Sequence, residues 1–251
     1  MMNLIDISDK EYKLFNRYIG QGKVTSPLVF FGNEPGMSGL GYDETVNFLK
    51  YQPAYKLGGG FMLKESYSKP TTSEFARFST RLCLGLKYND ERWFHNLSNL
   101  GKITLNECIC TSQLDKDHSL INLRPLPRPT EDTWIYSGID KKEYYRLWNF
   151  GLKRHYSDPE KELRLGILKT FFEKRTGLVI GVGDKRNKKI FLESLDLGYD
   201  FHEADLDHHT IFFDIKNKII LSDYFNNRNG IKIIGLQDLY RFISSRRLIN
   251  F

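Results

Sequence analysis

Apolar and polar positions along the chain predict short buried strands that alternate with helices. The apolar runs at 28–31, 118–123 and 177–183 are too short for helices and are bounded by residues that break or cap regular structure, which is typical of buried strands. Residues 210–225 are predicted to form two strands around a tight Lys-Asn turn, and 231–236 form a last strand-like run.

Capping residues mark where helices begin. Ser8 and Glu11 have the spacing of a capping box, and Thr71 and Glu74 repeat it. Asp158 is placed as an N-cap before a proline at the first helical position. The other helices are predicted at 140–150, 158–175, 184–195 and beyond 236.

This alternation predicts an α/β protein, a single domain over residues 1–251 whose mostly parallel sheet is covered by helices on both faces. In such folds ligands bind beyond the carboxyl ends of the strands. Polar, glycine-rich or proline-rich stretches follow the predicted strands at 32–39, 122–128, 183–188 and 222–229. We therefore expect the functional site at this edge of the sheet.

Composition narrows the class of partner. The 251 residues include 37 Lys and Arg against 31 Asp and Glu, and the formal net charge of +6 favours a polyanion. Cys83, Cys108 and Cys110 lack the paired spacing of a zinc or iron–sulfur site and are expected to be reduced thiols. Neither a bilayer-spanning run nor a signal peptide is recognisable, so a soluble cytoplasmic protein is expected.

Four segments, in order, resemble the motifs of the uracil-DNA glycosylase superfamily. "FFGNEPGMSG" is similar to the first motif, the loop that activates water, and "SLINLRPLP" to the strand whose final Asn binds the base edge. "LVIGVGDK" is similar to the third core strand, and "IILSDYFNNRNG" to the second motif, the loop that enters the duplex. The resemblance implies a three-layer α/β/α fold around a central, mostly parallel four-stranded sheet.

The resemblance also implies an activity, monofunctional hydrolysis of the N-glycosidic bond of a base flipped out of DNA. Hydrolysis of this bond develops positive charge on the sugar and negative charge on the departing base, so an acceptor near the sugar and donors near the base stabilise the transition state. Uracil or a modified pyrimidine, such as the glucosylated hydroxymethylcytosine of phage DNA, is the expected substrate, the latter with a role in antiviral defence. DNA is the expected partner, and no cofactor, metal ion, membrane or obligatory protein partner is implied.

The matching positions give the candidate residues. Glu34 and Asn33 are the predicted catalytic residues; because Glu and Asn stand in reverse order relative to some relatives, either one could position the water. The predicted base-binding residues are Asn122, Phe61, Gly32, Pro35 and Gly36. The predicted DNA-binding residues are Arg124, Arg128, Lys185, Arg186, Asp223, Tyr224, Phe225, Asn226, Asn227 and Arg228.

Each of these predictions has a structural alternative. Glu34 could be a solvated loop charge and Asn122 a turn cap, while Phe61 could begin an ordinary apolar segment. Tyr224 and Phe225 could be core residues instead of wedges in the base stack. Two nearby lysines, Lys188 and Lys189, are expected to be solvated surface charges, and the chain is expected to lack a Lys placed for Schiff-base chemistry.

The sequence is also compatible with other classes of function. A catalytically inactive DNA-binding module on the same scaffold is one alternative, and a metal-dependent nuclease is another. "HEADLDHH" at 202–209 is rich in metal-ligating residues, but it precedes a predicted strand and is expected to be a hydrated loop away from the site. "GVGDKR" lacks the third glycine of a dinucleotide-binding turn.

Overall fold

The computed structural model describes residues 4–34, 42–43, 46, 74–95, 118–128, 133–152, 158–228 and 230–251. Its strands are β1 (Gly20–Gln21), β2 (Leu28–Gly32), β3 (His118–Asn122), β4 (Leu178–Val182), β5 (His202–Asp205), β6 (Thr210–Asp214) and β7 (Ile219–Ser222). Its α-helices are α1 (Asp9–Arg17), α2 (Glu74–Tyr88), α3 (Lys141–Leu147), α4 (Pro159–Lys174), α5 (Lys185–Glu193) and α6 (Lys232–Ser245). A 3₁₀ helix spans Glu91–Phe94.

The predicted helix starts at α1 and α4 are confirmed. The Ser8 hydroxyl accepts the Glu11 amide while the Glu11 carboxylate accepts the Ser8 amide, which completes a capping box at α1. The Asp158 carboxylate accepts the Lys161 amide at 2.9 Å at the start of α4.

The described strands form one mixed sheet in the order β1-β3-β2-β4-β7-β6-β5. Its centre is the four parallel strands β3, β2, β4 and β7, while β1, β5 and β6 pair antiparallel. The α/β class is confirmed, but the described residues form seven strands instead of the four that the resemblance implies. Beyond the four parallel strands, β6 pairs with β7 across the predicted tight turn, β5 pairs with β6, and β1 pairs with β3 at the other border.

Two helical layers cover the sheet. Alternate strand residues point to opposite faces, so Val29 and Phe31 pack with α1, α3, α4 and α5, whereas Leu28 and Phe30 pack with α2 and α6. Among the described residues, no helix is long and apolar enough to cross a membrane.

The strand-like run at 231–236 is a corrected prediction. Residues from Lys232 onward belong to α6, and Ile231, Leu236, Leu239 and Ile243 are all buried in one layer. Their spacing of three to five residues fits a helix, and burial of this stripe outweighs the strand preference of the local isoleucines.

Candidate functional site

The parallel strands change their direction of progress along the sheet between β2 and β4. From β2 the chain crosses to β3 on one side and then back to β4 on the other. A crevice outside the carboxyl ends at such a switch point is where ligands bind in doubly wound sheets. The register pairs Phe31 with Gly181, so Asn33 and Glu34 leave β2 beside the loop that leaves β4.

Asn33 connects the ends of three strands. Its Oδ1 accepts a hydrogen bond from the Lys188 ammonium, and its Nδ2 donates to the Tyr224 Oη at 2.7 Å. An ammonium only donates, so the orientation of the amide is fixed by this pair of contacts. Asn33 is 6% exposed, and the end of β2 is thereby tied to α5 and to the loop after β7.

Lys188 is completely buried, which corrects the expectation of a solvated surface charge. Its ammonium also donates to the carbonyls of Val182, at 3.0 Å, and Gly183. The ammonium is therefore bound by three protein oxygens, Asn33 Oδ1 and these two carbonyls. A lysine therefore does lie at the site, but its protons are used to hold the ends of β2 and β4 together.

Glu34 is an anchor for two arginines. Its carboxylate pairs with Arg124 at 3.1 Å and with Arg128, and its side chain is 5% exposed, so the alternative of a solvated loop charge is wrong. Both arginines are buried as well. This geometry disfavours Glu34 as the base, because each of its oxygens is already in an ion pair.

The burial of Arg124 and Arg128 also changes their predicted role. Both were expected to contact DNA phosphates, but both guanidiniums turn inward to Glu34 and lie over the Tyr145 ring, at 4.9 and 5.4 Å from its centroid. Burial, followed by the Glu34 charge, raises the pKa of Tyr145 to about 12. Tyr145 therefore stays neutral and closes one side of the ion cluster.

The backbone that follows β3 is fixed by a buried arginine, Arg164 of α4. Its guanidinium donates to six carbonyls at distances of 2.7 to 3.3 Å. Three are at the end of β3 and just after it, and three are at the end of α1: Asn122, Leu123, Arg124, Phe15, Asn16 and Tyr18. Burial lowers the pKa of Arg164 to about 10, so it remains charged at neutral pH. The Arg124 amide donates to the Asn33 carbonyl at 2.7 Å, which joins the two predicted motifs directly.

Asn122 lies beside Gly32 on the neighbouring strand. It is 5% exposed. Its side-chain amide has no hydrogen-bond partner within the described part of the chain, so the structure gives it no turn-capping contact there. A Cβ on Gly32 would stand 2.6 Å from Asn122 Oδ1, so the lack of a side chain at residue 32 leaves room for this amide.

Substituting Gly32 with alanine is expected to displace the Asn122 amide while the fold is retained. The atom that must move is the end of a side chain and the backbone of Gly32 is not in the left-handed region, so we expect a stability loss below about 1 kcal/mol. On the expectation from the sequence that Asn122 binds the edge of a base, the affinity for DNA that carries this base should fall at least about tenfold. Urea unfolding measures the stability and a DNA-binding assay measures the affinity.

Gly166→Ala is the matched control, because a Cβ at this helical position meets nothing within 4 Å. It should leave affinity unchanged and stabilise α4 by about 0.5–1 kcal/mol. Equal affinities for Gly32→Ala and the native protein would contradict a binding role for Asn122.

The other predicted residues lie at the same edge of the sheet but differ in exposure. Arg186, Asn227 and Arg228 are exposed, whereas Asn226 is partly buried. Asp223 accepts a hydrogen bond from the Lys185 ammonium at 2.9 Å. Three predicted base-binding residues, Phe61, Pro35 and Gly36, lie outside the described residues.

Tyr224 and Phe225 are not both available for contact with DNA. Phe225 is 2% exposed and packs against Phe30, Phe75 and Phe78, so the alternative of a core residue is correct for it. Tyr224 is partly exposed and its ring lies against Gly183, where a Cβ would come within 2.3 Å of it and φ is +72°. A glycine is required there for the contact that places the Tyr224 hydroxyl beside Asn33.

The histidine-rich stretch lies closer to the site than expected. Residues 202–205 form β5, and because β6 is antiparallel to β7, the start of β6 lies at the carboxyl edge of the parallel strands. His208 pairs with Asp238 at 2.6 Å, and burial lowers the pKa of His209. Among the described residues, no group of three or more potential ligands has the arrangement of a metal site.

An open groove of about 450 Å³ lies at the opposite edge of the sheet, lined by Phe172, Arg175 and Tyr199 among others. Arg175 there donates to the carbonyls of Gly177 and Asn217, at 2.9 and 2.6 Å. These hydrogen bonds from Arg175 hold the loops before β4 and β7, which gives Arg175 a structural role. We therefore keep the candidate site at the carboxyl edge of the sheet.

Four members of the site were not predicted from the sequence: Lys188, Arg164, Tyr145 and Asp184, whose Oδ2 lies 3.3 Å from Arg124 Nη2. Lys188 and Arg164 lie within helices, where a charged residue at a buried position cannot be distinguished from one at the surface unless the facing element is known. Asp184 had a visible signal, because it follows Gly183 at the end of a buried strand.

Comparison with known proteins does not assign the chain to a family. No protein-family model matches the chain, and no curated protein is significantly similar to it.

Proposed function

We propose that this protein is a DNA glycosylase that flips a nucleotide out of DNA and hydrolyses its N-glycosidic bond, leaving an abasic site. The supporting observation is that residues following all four parallel strands form one connected polar network. Asn33 after β2, Arg124 after β3, Lys188 after β4 and Tyr224 after β7 are joined by direct hydrogen bonds or through neighbouring atoms of the same segments.

Such a network is suited to a catalytic site because buried polar groups are costly unless satisfied, and satisfied networks are rigid. Glycosidic hydrolysis depends on donors and acceptors that are already oriented when charge develops. In our proposal, Asn122 pairs with the edge of the flipped pyrimidine, since a primary amide offers one donor and one acceptor side by side. Asn33 and Glu34 hold the surrounding side chains in position where the site faces the sugar, through their contacts with Lys188, Tyr224 and the two buried arginines.

Contact with the DNA backbone is assigned to the exposed cations of the same edge. Arg186 lies in the first turn of α5 and Arg228 follows β7, and both are exposed, unlike Arg124 and Arg128. Arginine forms bidentate contacts with phosphate. We therefore expect substitution of Arg186 and Arg228 to weaken DNA binding for all sequences and to reduce its salt dependence.

The proposal is tested by incubating the purified protein with oligonucleotides that carry uracil, hydroxymethylcytosine or its glucosylated form. Release of the free base and alkali-labile strand breaks are then measured with and without EDTA. At least one substrate should give abasic sites at a rate that EDTA does not change. Asn122→Ala should reduce this rate by about tenfold or more, whereas Asn250→Ala, an exposed residue near the carboxyl terminus, should not.

Two results would overturn the proposal. Tight DNA binding without base release from any substrate would indicate a non-catalytic binding module. Strand cleavage that needs no alkali and is abolished by EDTA would indicate a metal-dependent nuclease.

A further inference from the structure

Three carboxylates at the carboxyl edge differ in their access to solvent. The side chain of Glu34 is 5% exposed, whereas those of Asp184 and Asp223 are 38% and 41% exposed. Asp223 is held by the Lys185 ammonium at 2.9 Å. Asp184 lies at the switch point, where its Oδ2 is 3.3 Å from Arg124 Nη2.

The conformation of Asp184 directs its carboxylate away from the helix that it precedes. Aspartate at an N-cap ordinarily adopts an extended backbone and accepts an amide of the first turn. Asp184 instead has φ 43° and ψ 49°, and its side chain makes no capping hydrogen bond. Aspartate tolerates the left-handed conformation, and Asp196 also adopts it, so its importance at residue 184 is that the carboxylate contacts Arg124 instead of the helix amides.

A second, independent feature beside Asp184 indicates a ligand. Arg124, which links Asp184 to Glu34, is 8% exposed, and its Nε is buried without an acceptor among the described residues. Buried N–H groups are nearly always satisfied, and an unsatisfied one in a polar site is commonly a partner of water or of a bound molecule. The open carboxylate and the unsatisfied donor thus belong to the same cluster.

We propose that Asp184 is the general base of the glycosylase reaction, an inference that depends on the function proposed above. The water oxygen forms a bond to C1′ as the bond from C1′ to the base nitrogen breaks. The electron pair of that bond leaves with the base, and the water proton passes to the Asp184 carboxylate and then to solvent. The departing base takes up a proton from solvent. Arg124 is the positioning residue, which Glu34 holds in place.

The test is Asp184→Asn, measured in single-turnover base release and in DNA binding. Asparagine tolerates the left-handed backbone, so the fold should be kept. Base release should fall by about 10²–10⁴-fold, while the dissociation constant for DNA changes less than about threefold. Asp196→Asn is the matched control, because Asp196 has the same backbone conformation, with φ 55°, and is exposed after α5. It should be as active as the native protein.

Asp184→Gly provides a second variant, since glycine adopts this backbone without strain. It should fold, lose base release to a similar extent and regain part of it with added formate, but not with chloride. Base release by either folded variant within threefold of the native rate would overturn the assignment of Asp184 and leave the glycosylase function standing. Absence of base release from the native protein would instead refute the proposed function itself.

Discussion

Replacing Arg164 with methionine is expected to lower the free energy of unfolding by about 4 kcal/mol or more. The change removes the fully buried Arg164 donors from six carbonyls, of which only that of Phe15 keeps another donor among the described hydrogen bonds, the Tyr18 amide. Each unsatisfied buried acceptor costs about 1–3 kcal/mol, and relief of the buried charge offsets only part of the sum. Urea unfolding measures the change.

Arg164→Lys should be intermediate, because an ammonium has three protons for the six acceptors. Arg92→Met is the control, since the Arg92 side chain is 84% exposed, and it should leave stability unchanged. A loss below about 1 kcal/mol for Arg164→Met would show that the segment after β3 is held by other contacts.

Glu34→Gln is expected to destabilise the protein by about 3–5 kcal/mol, because it removes the charge that compensates two buried guanidiniums. Removal of one partner of a buried ion pair is much more costly than replacement of the whole pair. Glu34→Gln combined with Arg128→Met should therefore cost less than the sum of the two single changes. Thermal or urea unfolding of the four proteins in this cycle measures the coupling.

Glu193→Gln is the control for this cycle, because the Glu193 side chain is 42% exposed and lies 3.7 Å from Lys189. It should have no measurable effect on stability. Strictly additive changes at Glu34 and Arg128 would contradict the ion cluster. Activity of the Glu34 variants must be compared at equal folded fraction, since a loss of activity that follows unfolding does not identify a base.

The sequence was sufficient for those parts of the fold that depend on local patterns. The apolar runs of β2, β3, β4 and β7 and the caps of α1 and α4 are local features, and each was predicted at its observed place within a few residues. The run at 231–236 was misassigned because its isoleucines favour a strand locally, whereas its burial is decided by α6 as a whole. The number of strands was also underestimated, because β1 has only two residues and β5 is polar, so neither has the apolar pattern that predicts a strand.

The sequence predicted which residues lie near the site better than it predicted what their side chains contact. Asn33, Glu34 and Asn122 were expected at one edge of the sheet, because each lies at the end of a strand and parallel strands end at the same edge. The register of β2 and β3 agrees with this expectation. Whether a charge faces solvent or another side chain depends on residues distant in the sequence. Arg124 and Arg128 were therefore expected at the DNA surface although Glu34, some 90 residues earlier, binds them. Lys188 was likewise predicted to be a surface residue, because its partner Asn33 is distant in the sequence.

The two outer strands of the described sheet affect whether it can pair with strands of other protein molecules. β1 has only two residues, and β5 carries His202, Glu203 and Asp205, all exposed. Unpaired strands with long apolar faces recruit other chains and aggregate, while short or charged ones repel them. We infer that, within the part of the chain that the structure describes, both borders of the sheet disfavour strand pairing with other chains.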